Sequence, residues 1–180
     1  MIHPHGYWLD QQKGGHYFDR TLATSLVPLF TNHRVIDFGC GEGRYVAFFR
    51  VRDINCCGYD GNPETPVLSK HQGQVLDLAQ PVSLKPADYV LSLEVGEHIP
   101  REFEQTFLDN IANHCTKGAV VSWAVPKQQG RGHFNCRSNS YIIGQMQLRG
   151  MSYDHETTQQ LRQEATLPWF HKTLMLFNCS

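Results

Sequence analysis

The segment RVIDFGCGEGRYVAFFR, residues 34–50, constrains the fold more than any other part of the chain. Val35–Phe38 is a short apolar run interrupted by one acid, which reads as a buried strand. Gly39, Gly41 and Gly43 follow at alternate positions. Glycine lets a backbone turn sharply and lets a ligand approach without interference from a Cβ. Tyr45–Phe49 then begins a helix. A strand that feeds a helix through such a turn forms a ligand cradle. The next strand, INCCGYD, ends about twenty residues later in Asp60, where a carboxylate can accept both hydroxyls of a ribose.

The same alternation continues along the chain. Phe18, Leu22, Leu26, Leu29 and Phe30 recur at helical spacing within residues 17–30, with Pro28 disturbing the last turn. Asn62 and Pro63 start a turn or short helix. GQVLDL is a third strand ending near Asp77, and ADYVLSLEV is a fourth. Phe103, Phe107, Leu108 and Ile111 mark an amphipathic helix over residues 101–114. GAVVSWAV is a fifth strand closed by Pro126, and the polar loop KQQGRGHFNCRSN follows. Residues 141–148 read as a helix, GMSY as the start of a strand, 154–165 as a polar helix and KTLMLFNC as the last strand. Strands alternating with helices imply a parallel sheet covered on both faces. Ligands of such sheets bind at the carboxyl ends of the strands, where strand order reverses. Asp37, Gly39, Asp60, Asp77, Glu94 and the loop after Pro126 fall at those ends.

Composition bounds the rest. At 180 residues the chain is expected to be one domain, with residues 1–30 as a lid and helix and 34–178 as the core. Hydrophobic residues make up 41% and charged residues 18%, a globular balance. A formal net charge of -1 argues against a broad basic face for duplex nucleic acid. The six cysteines form no CxxC pair and read as reduced, mostly buried thiols of an intracellular protein. The polar, aromatic start MIHPHGYWLD is not a signal peptide, and no apolar run suits a membrane span, so a cytoplasmic location is expected. His5, Gly6, Tyr7 and Trp8 have no core-like period. They read as a lid over the cavity, with a solvated tail as the alternative.

Dinucleotide folds prefer GxGxxG, whereas this chain carries GxGxG flanked by Asp37 and Glu42. Acids there suit a cationic sulfonium and amino group better than a pyrophosphate. VIDFGCGEGRY, GYD, VLDL and ADYVLSLEVGEHIP, in that order, resemble the motifs of class I S-adenosylmethionine-dependent methyltransferases. The resemblance spans roughly residues 34–177. It implies a Rossmann-like α/β sandwich with a mostly parallel sheet of about seven strands and helices on both faces. It also implies that Asp37, Gly39 and Gly41 line the methionine part of S-adenosylmethionine. Asp60 would hold the ribose, Asp77 and Leu78 would meet the adenine, and Glu94 would stand beside the reacting centre. Cys40, Gly43 and Gly61 complete the expected cofactor set. Without the resemblance, Asp60 could simply cap a short helix and Asp77 could end a strand in a turn.

Glu94-Val95-Gly96-Glu97-His98 places two carboxylates and an imidazole just after a buried strand, and His133 follows a later strand. Two oxygen and two nitrogen donors can hold a divalent metal with open positions. The run resembles the Glu-x-x-Glu-His motif of small-RNA 2′-O-methyltransferases, which bind metal with a later histidine, and a similar Glu-His run in ubiquinone-pathway O-methyltransferases. That resemblance implies catalytic and metal roles for Glu94, Glu97, His98 and His133, with magnesium, manganese or zinc. A metal lowers the pKa of a hydroxyl and orients it for in-line attack. Without metal, His98 or His133 becomes the candidate general base. The expected acceptor is an oxygen of a small molecule or of a terminal nucleotide. A non-catalytic binding module and a nicotinamide-dependent oxidoreductase are the competing functions, the latter disfavoured by GxGxG and the absence of a second nucleotide-binding half.

Overall fold

A computed structural model describes residues 1–9 and 16–179. Part of the expected lid, residues 10–15, lies outside the described residues. In chain order the elements are α1 (Arg20–Ser25), α2 (Val27–Phe30), β1 (Arg34–Phe38), α3 (Arg44–Arg50), β2 (Asn55–Asp60), α4 (Thr65–Leu68), β3 (Gly73–Val75) and β4 (Ala87–Leu93). A 3-10 turn at Arg101–Phe103 leads into α5 (Glu104–Asn113). There follow β5 (Cys115–Ser122), α6 (Asn139–Gln147), β6 (Met151–Asp154), α7 (His155–Glu164), α8 (Phe170–Thr173) and β7 (Leu174–Cys179).

The strands form one seven-stranded sheet in the order β3-β2-β1-β4-β5-β7-β6. Pairing is parallel from β3 to β5. β7 runs antiparallel to both β5 and β6. This is the expected sandwich, and strand order reverses between β1 and β4.

Side chains alternate across a strand, so each buried strand feeds two cores. Ile36, Val90, Ala119, Val121 and Phe177 face one layer, where Phe107, Leu108 and Ile111 of α5 and Ile142 and Met146 of α6 cover them. Val35, Leu91, Val120 and Leu176 face the other, against Leu22 of α1, Val46 and Phe49 of α3 and Leu161 of α7. That double burial is why these strands read as continuous apolar runs.

Several boundaries differ from the sequence reading. Residues 17–30 form two short helices, because Pro28 lacks an N–H and is accommodated only in the first turn of a new helix, α2. Asp19 caps α1, its carboxylate accepting from Leu22 N at 2.9 Å. β3 stops at Val75, before the Asp77 carboxylate accepts from Ala79 N at 3.0 Å and turns the chain. β4 stops at Leu93 because Glu94 takes a left-handed conformation, φ 53°. All six cysteines are free thiols. Among the described residues, no helix is long and apolar enough to cross a membrane.

Candidate functional site

A cavity of about 540 Å³ opens over the carboxyl ends of the central strands. This is within the usual size range of small-molecule sites.

At one end the β1–α3 loop is tied to β2. Gly39 N and Cys40 N both donate to Tyr59 O, at 2.7 and 3.0 Å. Asp60 Oδ2 accepts from Gly41 N at 3.0 Å and Oδ1 from Asn62 N at 2.9 Å. Gly39 has φ +84°, and a Cβ there would lie 2.2 Å from Val95 Cγ2, so only glycine keeps this cradle. Asp37 lies beneath the loop, 4% exposed. Burial, and then the charge of Asp60, push its carboxyl up to about 8. Asp77 and Leu78, beyond β3, line the same end. Asp77 Oδ2 lies 2.5 Å from His5 Nδ1.

The structure thus brings Asp37, Gly39, Cys40, Gly41, Asp60, Gly61, Asp77, Leu78 and Glu94 to one cavity wall. Two members of the expected cofactor set contribute differently. Gly43 is off the wall. It caps α3, and a Cβ there would meet Gln72 Cβ at 2.8 Å, so its service is to packing. Cys40 lines the cavity, but its thiol packs toward Gly58 and Gly73 and burial raises its pKa.

At the other end, the turn after β4 meets the loop after β5. His98 Nδ1 donates to Gly132 O at 3.0 Å, and His133 Nδ1 donates to Gln128 O at 3.1 Å. A carbonyl can only accept, so each Nδ1 carries a proton. The two rings stand 5.1 Å apart, edge to face. Glu97 is fully buried; its carboxyl lies close to the Glu94 carboxyl and to the Glu97 and Ala124 backbone amides, but none of these contacts has full hydrogen-bond geometry. Burial, and then the charge of Glu94, push its pKa well above the ordinary carboxylate range. Burial, and then the charge of His133, bring His98 down to about 4, so it is neutral near pH 7. One donor atom each from Glu97, His98 and His133 lie within 4.8 Å of one another.

Glu94 is not in that group. Its Oε2 accepts from Gln128 Nε2 at 2.7 Å, while its Oε1 is buried without a hydrogen-bond partner among the described residues and its charge bears on Glu97. The expected four-residue ligand set is therefore a three-residue cluster with Glu94 beside it. Glu97 sits behind the cavity wall, whereas His98 and His133 line it.

Sequence reasoning missed what holds the later loop. Glu104, 2% exposed at the start of α5, accepts from Arg137 Nε at 2.5 Å, Tyr141 Oη at 2.5 Å and Asn135 Nδ2 at 2.8 Å. Burial works to raise its pKa, but these three bonds outweigh it and hold the carboxylate ionised. Asn135 O in turn accepts from Trp123 Nε1 at 2.6 Å, and Asn135 N donates to Glu97 O at 3.0 Å. The signal was present: Glu104 lies three, four and seven residues before Phe107, Leu108 and Ile111, an acid on the apolar stripe of α5.

Similarity to known proteins agrees with this geometry. The chain matches the family model described as a methyltransferase domain over residues 8–170. Magnesium protoporphyrin IX methyltransferase from Synechocystis PCC 6803, solved with bound S-adenosylhomocysteine, superposes with a TM-score of 0.67 at 17% identity, over 88% of this chain and 82% of its own. The amino pentose methyltransferase CalS10 of Micromonospora echinaspora, solved with S-adenosylmethionine, gives 0.69 at 13% identity, over 88% and 89%. The methyltransferase domain of bacterial CtHen1-C gives 0.61 at 15% identity, over 89% and 97%. No curated protein matches the sequence. The chain belongs to the methyltransferase-domain family and has the fold of the class I S-adenosylmethionine-dependent methyltransferases.

Proposed function

We propose that this protein transfers a methyl group from S-adenosylmethionine to an oxygen of a small hydroxylated molecule or a terminal nucleotide, with a divalent cation held by Glu97, His98 and His133. The observation that carries the cation is the clustering of the buried Glu97 carboxyl, which has no well-formed hydrogen bond among the described residues, within 4.8 Å of two imidazole nitrogens. Unsatisfied buried carboxyl oxygens are costly, and a cation on those atoms would remove the cost. Two nitrogens and one carboxylate suit manganese or zinc better than magnesium.

The cofactor cradle fits on similar grounds: Gly39 and Gly41 hold φ of +84° and +51°, and a Cβ on them would press on Val95 and on the His16 ring, so the loop needs glycine to keep this shape. When bound, S-adenosylmethionine supplies a methyl group already activated on a sulfonium. The chain's own residues bind and orient. Asp60 would hold the ribose hydroxyls, Asp77 the adenine amine, and Asp37 and the glycine loop the methionine part, all from positions on the cavity lining. His98 and His133, each fixed by a carbonyl at Nδ1, would have Nε2 left to offer a cation. In a chelator-resistant reaction His133 takes the general-base role, because His98 at about 4 is a weak base.

Titration calorimetry with manganese, zinc and magnesium, paired with transfer of labelled methyl to hydroxyl compounds and oligonucleotide 3′ ends, tests this reading. Expected are metal binding that Glu97→Gln weakens more than the about 10–100-fold of an outer-shell change, and transfer that a chelator abolishes. Full activity in chelator, with no heat from any ion, would remove the metal.

A further inference from the structure

The chain ahead of α1 folds on itself before it meets the core. Ile2 bridges to Trp8. His3 N donates to Tyr7 O and Gly6 N to His3 O, each at 2.8 Å, and Leu9 N donates to Met1 O at 3.0 Å. The His3 and Tyr7 rings stack 4.2 Å apart and nearly parallel. These internal bonds make residues 1–9 a small closed turn.

The tip of that turn touches both ends of the cavity. His5 Nδ1 lies 2.5 Å from Asp77 Oδ2. Tyr7 packs on Gly61 so closely that a Cβ there would stand 2.4 Å from Tyr7 Cδ1. Gly6, between them, has φ +94°, and a Cβ on it would lie 2.0 Å from the carbonyl oxygen of His98. An L side chain at Gly6 therefore meets both a strained backbone and a rigid main-chain atom. Trp8 continues the contact, edge-on to His98 with ring centroids 5.6 Å apart.

We propose that this turn is a gate on the cofactor site, with His5 and Tyr7 roofing the adenosyl end and Gly6 latching the roof onto His98. The inference rests on the S-adenosylmethionine reading above, because it assigns Asp77 and Gly61 to that cofactor. With the latch seated, ligand waits for opening both to enter and to leave. The latch residue also sits on the backbone of a cluster ligand, so closing over the cofactor seats the turn against the chemistry end in the same movement.

The gate has a kinetic signature that a simple contact lacks. A contact slows dissociation alone, whereas a gate slows association as well. Stopped-flow binding of S-adenosylhomocysteine to the full chain, read by tryptophan fluorescence, separates the two. In Gly6→Ala the latch cannot seat, and both rate constants rise tenfold or more while the ligand-free melting temperature stays within a few degrees of the parent. Tyr7→Ala removes the roof by a different change and accelerates both rates as well. Rates equal to the parent in both variants overturn the gate, as does faster dissociation with unchanged association. Failure of the parent chain itself to bind S-adenosylhomocysteine rejects the cofactor reading instead.

Discussion

The two ends of the cavity are built in opposite ways. The cofactor end is made of chain neighbours: each of β1 and β2 delivers its residues in the few positions where it stops, and backbone bonds from Gly39, Cys40 and Gly41 to Tyr59 and Asp60 fix them. The chemistry end joins a tight turn at Glu97–His98 to a loop more than thirty residues later. It depends on a buried carboxylate, Glu104, that touches neither histidine. One end inherits its geometry from the sheet, and the other borrows it from a side-chain network. Damage to the two should therefore separate.

The largest effect is expected at the sheet-built end. Gly39→Ala drives a Cβ into Val95 at φ +84° and moves the loop. S-adenosylhomocysteine affinity should fall by about 100-fold or more, about 2.8 kcal/mol, with metal binding by calorimetry retained. Equal loss of both would show that the two ends are one unit and break the comparison.

Glu104→Ala should do the reverse. It strips partners from Arg137, Asn135 and Tyr141, at a cost of about 2–3 kcal/mol in urea unfolding. Metal affinity should fall by about 10-fold, as for other changes behind a ligand, while S-adenosylhomocysteine affinity stays within a factor of about two. Unchanged metal affinity would mean that the loop holds His133 without this network.

Asp37 carries a slope with pH rather than a single loss. Burial, then the Asp60 charge, raise its carboxyl from the about 3.9 of an unfolded chain to about 8. A raised folded value means that its stability contribution is full below about pH 4 and is lost as pH rises toward 8. The cofactor-free protein should therefore lose stability across that window, by no more than about 1.4 kcal/mol per pH unit from this group. Asp37→Asn should flatten the slope in denaturant titrations. An unchanged slope would place the proton elsewhere.

The strand-end wall of the cavity was readable because its determinants are local. Apolar runs, alternate glycines and strand-ending acids each act within a few residues, and a parallel sheet brings strand ends together whatever the loops do. Gly43 marks the limit of that reasoning: glycine spacing did not distinguish a residue facing a ligand from one facing Gln72. The Glu-x-x-Glu-His run and the later loop named four candidate ligands, yet only three of them, Glu97, His98 and His133, bring donor atoms within 4.8 Å of one another, while Glu94 gives one oxygen to Gln128.

The sequence by itself determined the fold class, the sheet's two-sided burial and which strand-end residues share one cavity, because side-chain period and glycine placement are properties of short stretches. Only the tertiary structure decided that Glu97, His98 and His133 meet without Glu94, that Glu104 anchors their loop, and that Gly6 rests on the His98 carbonyl. Those contacts join residues far apart in the chain, and their geometry is set by packing between elements rather than by the propensity of any one of them.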